Sequence, residues 1–170
     1  MTEPAAELIG FTARGDRVEA SFVLLIDEHI ERVWTALTAP DWLPQWLAPG
    51  TIELWLGGAV GLDFSDSGGA IDSTVNALTL GAMLEYSWSQ PGEPERPMRW
   101  QLEPLGPTTR LMLTLNLPAT ENVARSCAGW AAHLDMLVAA LAGIPIKFPI
   151  DVFQASRAAY AEMLDGVRAD

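Results

Sequence analysis

Six short segments rich in β-forming residues follow one another between Thr51 and Leu117, and turn residues such as Gly57-Gly58 and Pro91-Gly92 separate them. The segments are residues 51–56, 59–64, 70–78, 83–89, 97–103 and 110–117. Because no helical pattern intervenes, consecutive strands are expected to pair through tight turns, which predicts an antiparallel meander. Apolar and polar residues alternate along the last segment, so one face of the sheet is expected to be buried.

Helical patterns lie on both sides of the meander. Before it, residues 7–14 and 18–26 flank the turn-forming pair Gly15-Asp16, which predicts a β-hairpin. Asp27 can cap a first helix, and Pro40 ends it. Its apolar stripe consists of Ile30, Val33, Trp34 and Leu37. Residues 41–47 predict a short second helix.

A long helix is predicted after the meander, from just beyond Pro118 to about residue 142, because Gly143 ends the pattern. Its apolar face consists of Trp130, Leu134, Leu137, Val138 and Leu141. Gly129 interrupts this pattern, and glycine destabilises a helix interior by about 1 kcal/mol relative to alanine, so we expect close packing at Gly129. A last helix is predicted from Asp151, with Gln154 placed for a capping box. The chain is therefore predicted to be a single α+β domain over residues 1–170.

The charge balance excludes several function classes. With 22 acidic and 10 basic side chains, the net charge is −12 at neutral pH, which repels nucleic acids and anionic lipid headgroups. The single cysteine, Cys127, excludes an intramolecular disulfide and a cysteine zinc site, and we expect it to be a buried apolar residue. No signal peptide and no membrane-spanning segment is evident, so we expect a cytoplasmic protein without membrane insertion.

Seven tryptophans are the most unusual feature of the composition. Tryptophan offers a large apolar surface and an N–H donor, which suits both a packed core and a ligand site. Core packing is the simpler interpretation of any single ring, yet a curved sheet is difficult to fill completely, so we also expect a cavity. The residues expected to line it are Trp42, Trp46, Trp55, Phe64, Trp88, Trp100, Leu113, Trp130 and His133.

Few side chains indicate catalysis. His133 lies beside Trp130 on the long helix, and as an acid–base group it would need a partner such as Glu85 or Asp63. A structural histidine is the simpler interpretation, and we assign no catalytic residue. The aspartates around residues 67–69 lack calcium-loop spacing, so we expect no metal and no other cofactor.

Arg99 and Arg110 of the predicted sheet allow two interpretations. Arg99 and Arg110 can pair with Glu85 or Glu103 across the sheet as ordinary surface charges. A buried arginine that binds a ligand carboxylate is the other interpretation.

Three stretches of the chain resemble a known family. They are VWTALTAPDWLPQWL at residues 33–47, GGAIDSTVNALTLGAMLEYSWS at residues 68–89, and TTRLMLTLNL with AGWAAHLDMLVAALAG at residues 108–117 and 128–143. In this order they resemble the family named for the activator of heat-shock protein 90 ATPase homologue, within the START-like (SRPBCC) superfamily. The resemblance covers about residues 7–143. Many relatives carry a histidine at the final strand, where this chain has Leu115-Asn116.

The resemblance implies a helix-grip fold: a curved antiparallel sheet wrapped around a long C-terminal helix, with two short helices after the first strand. Here an extra C-terminal helix is expected at residues 148–168. Because superfamily members differ in function, three functions follow from the resemblance. We expect a small apolar or aromatic molecule, such as a lipid, to bind in the cavity between sheet and helix. The alternatives are a protein-interaction domain that stimulates a chaperone ATPase in the stress response, and a cyclase-like or dehydratase-like enzyme; a homodimer also remains open.

Overall fold

The computed structural model describes residues 4–64 and 69–168, and their helices and strands follow the predicted order. The elements are β1 (Glu7–Arg14), β2 (Arg17–Ile26), α1 (Ile30–Thr38), α2 (Leu43–Trp46), β3 (Gly50–Ile52), β4 (Ala59–Phe64), β5 (Gly69–Thr79), β6 (Met83–Ser87), β7 (Pro97–Leu105), β8 (Thr108–Pro118), α3 (Val123–Leu141) and α4 (Ile150–Arg168). This is the predicted α+β arrangement. The two short helices follow the second strand, because a complete hairpin precedes them.

The strands form one curled antiparallel sheet in the order β1-β2-β8-β7-β6-β5-β4-β3. The pairing of β2 with β8 joins the opening hairpin to the end of the meander, with Phe22 opposite Leu113. The helix α3 packs against the concave face of this sheet, so the helix-grip fold predicted from the sequence is confirmed.

A continuous row of apolar side chains crosses the concave face at the centre of the sheet. Register places Phe22, Leu113, Trp100 and Leu84 side by side on β2, β8, β7 and β6. All four side chains are buried, and Leu134 and Leu137 of α3 are buried with them in the same core. The centre of the concave face is therefore filled by the protein itself.

Two predicted boundaries are wrong. His29 rather than Asp27 is the N-cap of α1, and its side chain makes no capping hydrogen bond. The predicted strand over residues 51–56 ends at Ile52, because the chain then turns back toward β4. In this turn the Ala59 amide donates to the Glu53 carboxylate (2.7 Å), and Gly57 has a φ of +84°, which favours glycine.

The helix α3 begins and ends at recognisable signals. The Asn122 side chain accepts a hydrogen bond from the Arg125 amide (3.1 Å) and caps the N-terminus. Gly143, with a φ of +77°, follows the C-terminus.

The helix α4 docks on α3 and on the opening hairpin. Its inward stripe consists of Val152, Ser156, Tyr160 and Leu164, spaced four residues apart and all buried. The Tyr160 ring makes edge-on contacts with Phe11 and Phe22, at centroid distances of 6.4 and 6.1 Å. Among residues 4–64 and 69–168, no helix is long and apolar enough to cross a membrane.

Candidate functional site

A cleft of about 1000 Å³ opens between one end of the sheet, the first half of α3 and the start of α4. On β8, Leu113 belongs to the packed centre, whereas the next residues on the same face, Leu115 and Leu117, line the cleft. The cleft therefore begins beside the packed centre of the sheet. Its lining residues are Phe64, Gly69, Ala70, Ile71, Trp88, Gln90, Glu93, Arg96, Leu115, Leu117, Glu121, Asn122, Arg125, Ser126, Gly129, Trp130, His133, Phe148, Ile150, Phe153, Gln154 and Arg157.

A chain of edge-on aromatic contacts joins the cleft to the core. Phe64 meets Trp88 at 5.5 Å, Trp88 meets Trp130 at 4.8 Å, and Trp130 meets Trp100 at 5.8 Å between ring centroids. Trp46 packs behind Trp100 at 5.9 Å, and its indole N–H donates to the Ala36 carbonyl (2.8 Å). Edge-on packing is a favourable arrangement of aromatic rings, so these contacts stabilise this wall of the cleft.

Nine residues were expected from the sequence to line a cavity, and the structure separates them into three groups. Phe64, Trp88, Trp130 and His133 come together in the cleft. Trp46, Trp100 and Leu113 are buried in the core behind it.

The other two lie outside the cleft. Trp42 stacks under the Arg32 guanidinium, which lies 5.0 Å from the ring centroid. Trp55, also expected to line the cavity, lies in the turn after β3 and is 58% exposed.

His133 is held in one tautomer by the backbone of α2. Its Nδ1 lies 2.9 Å from the Trp46 carbonyl oxygen, and since a carbonyl only accepts, Nδ1 carries the hydrogen. Burial lowers the pKa of the imidazole, so the ring is neutral at physiological pH. Nε2 makes no hydrogen bond to any described residue, and the ring lines the cleft.

Neither carboxylate that was considered as a partner for His133 has that role. Glu85 pairs with Arg99 (3.0 Å) on the other face of the sheet, as the surface interpretation of Arg99 predicts. Asp63 is exposed. Arg110 likewise lies near Glu103 (3.8 Å), so Arg99 and Arg110 are both surface charges.

Arg96 is the most constrained charge of the cleft. Its Nε and one terminal nitrogen each donate to an oxygen of Glu121 at 2.8 Å, and the other terminal nitrogen donates to the Trp88 carbonyl (3.1 Å). This bidentate pair lowers the pKa of the Glu121 carboxyl. Arg96 thus ties the loop after Trp88 to the N-terminus of α3.

Sequence reasoning missed the wall formed by α4 and the segment before it. Phe148, Ile150, Phe153, Gln154 and Arg157 line the cleft, and His133 contacts Phe148 with 5.5 Å between ring centroids. The sequence pattern that could have indicated this wall is a second stripe of α4, at residues 150, 153, 154 and 157. It lies beside the stripe that docks the helix. The amino acids of this second stripe do not show which part of the protein it faces.

Gly129 also lies in the lining, and the expectation of close packing there is wrong. A Cβ built on Gly129 meets no atom within 4 Å. The glycine faces the open cleft rather than the sheet.

Cys127 is free and buried, as predicted, and burial raises the pKa of its thiol to about 12. Within the described ranges, no three His, Cys, Asp or Glu side chains are grouped as a metal site would require.

Comparison with solved structures supports the fold over nearly the whole chain. CalU16 from Micromonospora echinospora superimposes with a TM-score of 0.78 at 21% identity, covering 94% of this chain and 98% of CalU16. DynU16, from the dynemicin biosynthetic locus, matches at 26% identity and a TM-score of 0.66, covering 78% of this chain and 49% of DynU16. The Aha1 dimer of Colwellia psychrerythraea matches at 23% identity and a TM-score of 0.63, covering 72% and 95%.

A search among curated proteins gives no match. One family model, described as "Activator of Hsp90 ATPase homolog 1-like protein", matches residues 27–142. This range contains both short helices, strands β3 to β8 and the whole of α3, but not α4. The chain belongs to the Activator of Hsp90 ATPase homolog 1-like protein family.

Proposed function

We propose that this protein binds a small apolar or aromatic molecule in the cleft between the sheet, α3 and α4. The observation that carries the proposal is the open space beside Trp88 and Trp130, which the protein's own side chains leave unfilled. Its volume of about 1000 Å³ suits a ligand of drug size. Burial of apolar ligand surface contributes about 25 cal/mol per Å², so such a cleft supports useful affinity.

The composition of the lining favours an aromatic ligand. Five aromatic side chains line the cleft, and they come from the sheet side, from α3, and from α4 with the segment before it: Phe64, Trp88, Trp130, Phe148 and Phe153. A flat ring inserted among them gains offset or edge-on contacts of about 0.5–1.5 kcal/mol each beyond its buried area. His133 adds a neutral acceptor at Nε2, which can receive a hydrogen bond from a ligand hydroxyl.

The test is a titration of tryptophan fluorescence with N-phenyl-1-naphthylamine, an uncharged aromatic probe. We expect a saturable change, because the probe binds against two indoles of the cleft. In Gly129→Leu the new side chain occupies the cleft, so the affinity should fall by about tenfold or more, which is about 1.4 kcal/mol. The melting temperature should not fall, because a Cβ at this position meets no atom within 4 Å, the cleft has room beyond it, and leucine is the better helix former.

Gly166→Leu is the matched control, because Gly166 is also helical and unobstructed but lies outside the cleft. It should leave the affinity unchanged. A wild-type protein that gives no saturable signal, or a Gly129→Leu variant that binds as tightly as wild type, would overturn the proposal.

An interaction domain that stimulates a chaperone ATPase is the main competing function, and the family name and the Aha1 dimer among the similar structures motivate it. Such a domain acts through its outer surface, so the substitution at Gly129 would leave chaperone stimulation intact. Loss of probe binding without loss of any partner interaction therefore separates the two functions.

A further inference from the structure

We infer that the ligand of this cleft carries an acidic group, which Arg125 and Arg157 bind at the rim. The inference rests on the proposed function and specifies its ligand class: an aromatic or apolar body with a carboxylate or a similar anionic group. Arg125 lies in the first turn of α3 and Arg157 two turns into α4, and both line the cleft.

The local charge of the cleft differs from that of the chain. The whole protein has more than two acidic side chains for each basic one. Among the described residues, the cleft lining instead contains three arginines, Arg96, Arg125 and Arg157, against two glutamates, Glu93 and Glu121. The neutral His133 is the other ionisable group in this described part of the lining. An anion is therefore tolerated here although the protein as a whole repels it.

The two rim arginines have no carboxylate partner among the described residues. Glu121, the acidic residue nearest to Arg125 in sequence, uses both oxygens on Arg96. Arg157 has no acidic residue three or four positions before or after it in α4. By contrast, Arg14, Arg32, Arg96, Arg99 and Arg110 each lie within 4 Å of a glutamate.

The position of Arg125 adds a second argument. A cation in the first turn of a helix interacts unfavourably with the positive end of the helix dipole. Arg125 therefore destabilises the folded protein at this position, unless an anion lies close to it. Arginine is also the side chain whose planar, permanently charged fork best matches a carboxylate.

Two probes with the same aromatic body test the inference. 8-Anilinonaphthalene-1-sulfonate carries one negative charge, and N-phenyl-1-naphthylamine carries none. We expect wild-type protein to bind the sulfonate about tenfold more tightly, because a charge-assisted hydrogen bond contributes that much or more. The preference should shrink at high ionic strength, where exposed charges are screened.

The double variant Arg125→Gln/Arg157→Gln should remove this preference, measured as the ratio of the affinities for the two probes. The matched control is Arg14→Gln/Arg110→Gln, which alters net charge equally at exposed ion pairs outside the cleft and should keep the preference. If both probes bind with equal affinity, or if the double variant loses both to the same extent, the inference fails and the proposed function stands. If neither probe binds saturably, the proposed function itself fails.

Discussion

His133 joins two helices at the edge of the cleft, since its Nδ1–H donates to the carbonyl of Trp46 in α2. Burial lowers the pKa of this imidazole, so protonation costs more in the folded protein than in the unfolded chain. Above about pH 6.5, the ordinary value for histidine, the ring is neutral in both states and contributes no pH dependence. Below about pH 6.5, the imidazole is protonated in the unfolded chain but still neutral in the folded protein. The free energy of unfolding therefore falls as the pH decreases, until the pH reaches the lower pKa of the folded state.

We therefore expect the melting temperature of wild type to fall, relative to that of His133→Gln, as the pH decreases below about 6.5. The measurement is thermal unfolding of both proteins across this range. His29→Gln is the control, because His29 is exposed on the surface, and it should keep the wild-type profile. Parallel profiles for wild type and His133→Gln would contradict the assignment of a buried, neutral ring.

Single residues also show where sequence reasoning reached its limit. Alternation along β8 correctly placed Leu113, Leu115 and Leu117 on one face. Whether such a residue contacts the core or the cleft depends on where α3 crosses the sheet, which alternation does not contain. For the same reason Trp100 on β7 is a core residue, whereas Trp88, directly after β6, lines the cleft.

At the scale of the element, α4 closes the cleft with one stripe and docks with the other. Docking depends on Tyr160, whose ring contacts Phe11 and Phe22 from the inward stripe. Its hydroxyl is buried, burial raises its pKa, and the Ser156 side chain on the same helix gives it only a weak, poorly aligned hydrogen bond. A buried hydroxyl without a well-formed hydrogen bond destabilises the folded state by about 1–3 kcal/mol.

Tyr160→Phe should accordingly raise the free energy of unfolding by about 1 kcal/mol, because it removes the hydroxyl and keeps the ring contacts. Urea denaturation of wild type and variant measures the change. If Tyr160→Phe is instead less stable than wild type, the hydrogen bond to Ser156 satisfies the hydroxyl and the account of this position is wrong.

The sequence predicted α4 as a helix, including its start within one residue. Its docking could not be predicted, because helical spacing gives two usable stripes and both contain aromatic residues. The stripe with Tyr160 and Leu164 packs inward, while the one with Phe153 and Arg157 borders the cleft. Long-range packing against α3 and β1 decides between them.

At the scale of the whole molecule, the class and the order of elements were predictable because both depend on local signals. Turn residues separate the strands of the meander, and Gly143 ends the long helix. The join between β2 and β8 follows from the family's fold rather than from any local pattern. The open volume of the cleft depends on how all these elements pack together. The sequence therefore predicted that a cavity exists but not which elements line it.

The central claim is that a ligand binds beside Trp88 and Trp130 and not elsewhere. The seven indole N–H groups give separate signals in a ¹H–¹⁵N correlation spectrum, and single Trp→Phe variants assign them. On titration with N-phenyl-1-naphthylamine, we expect the Trp88 and Trp130 signals to shift saturably, while the exposed Trp55 and the Arg32-stacked Trp42 signals stay in place. Unchanged Trp88 and Trp130 signals, or saturable shifts confined to Trp55 or Trp42, would contradict the account.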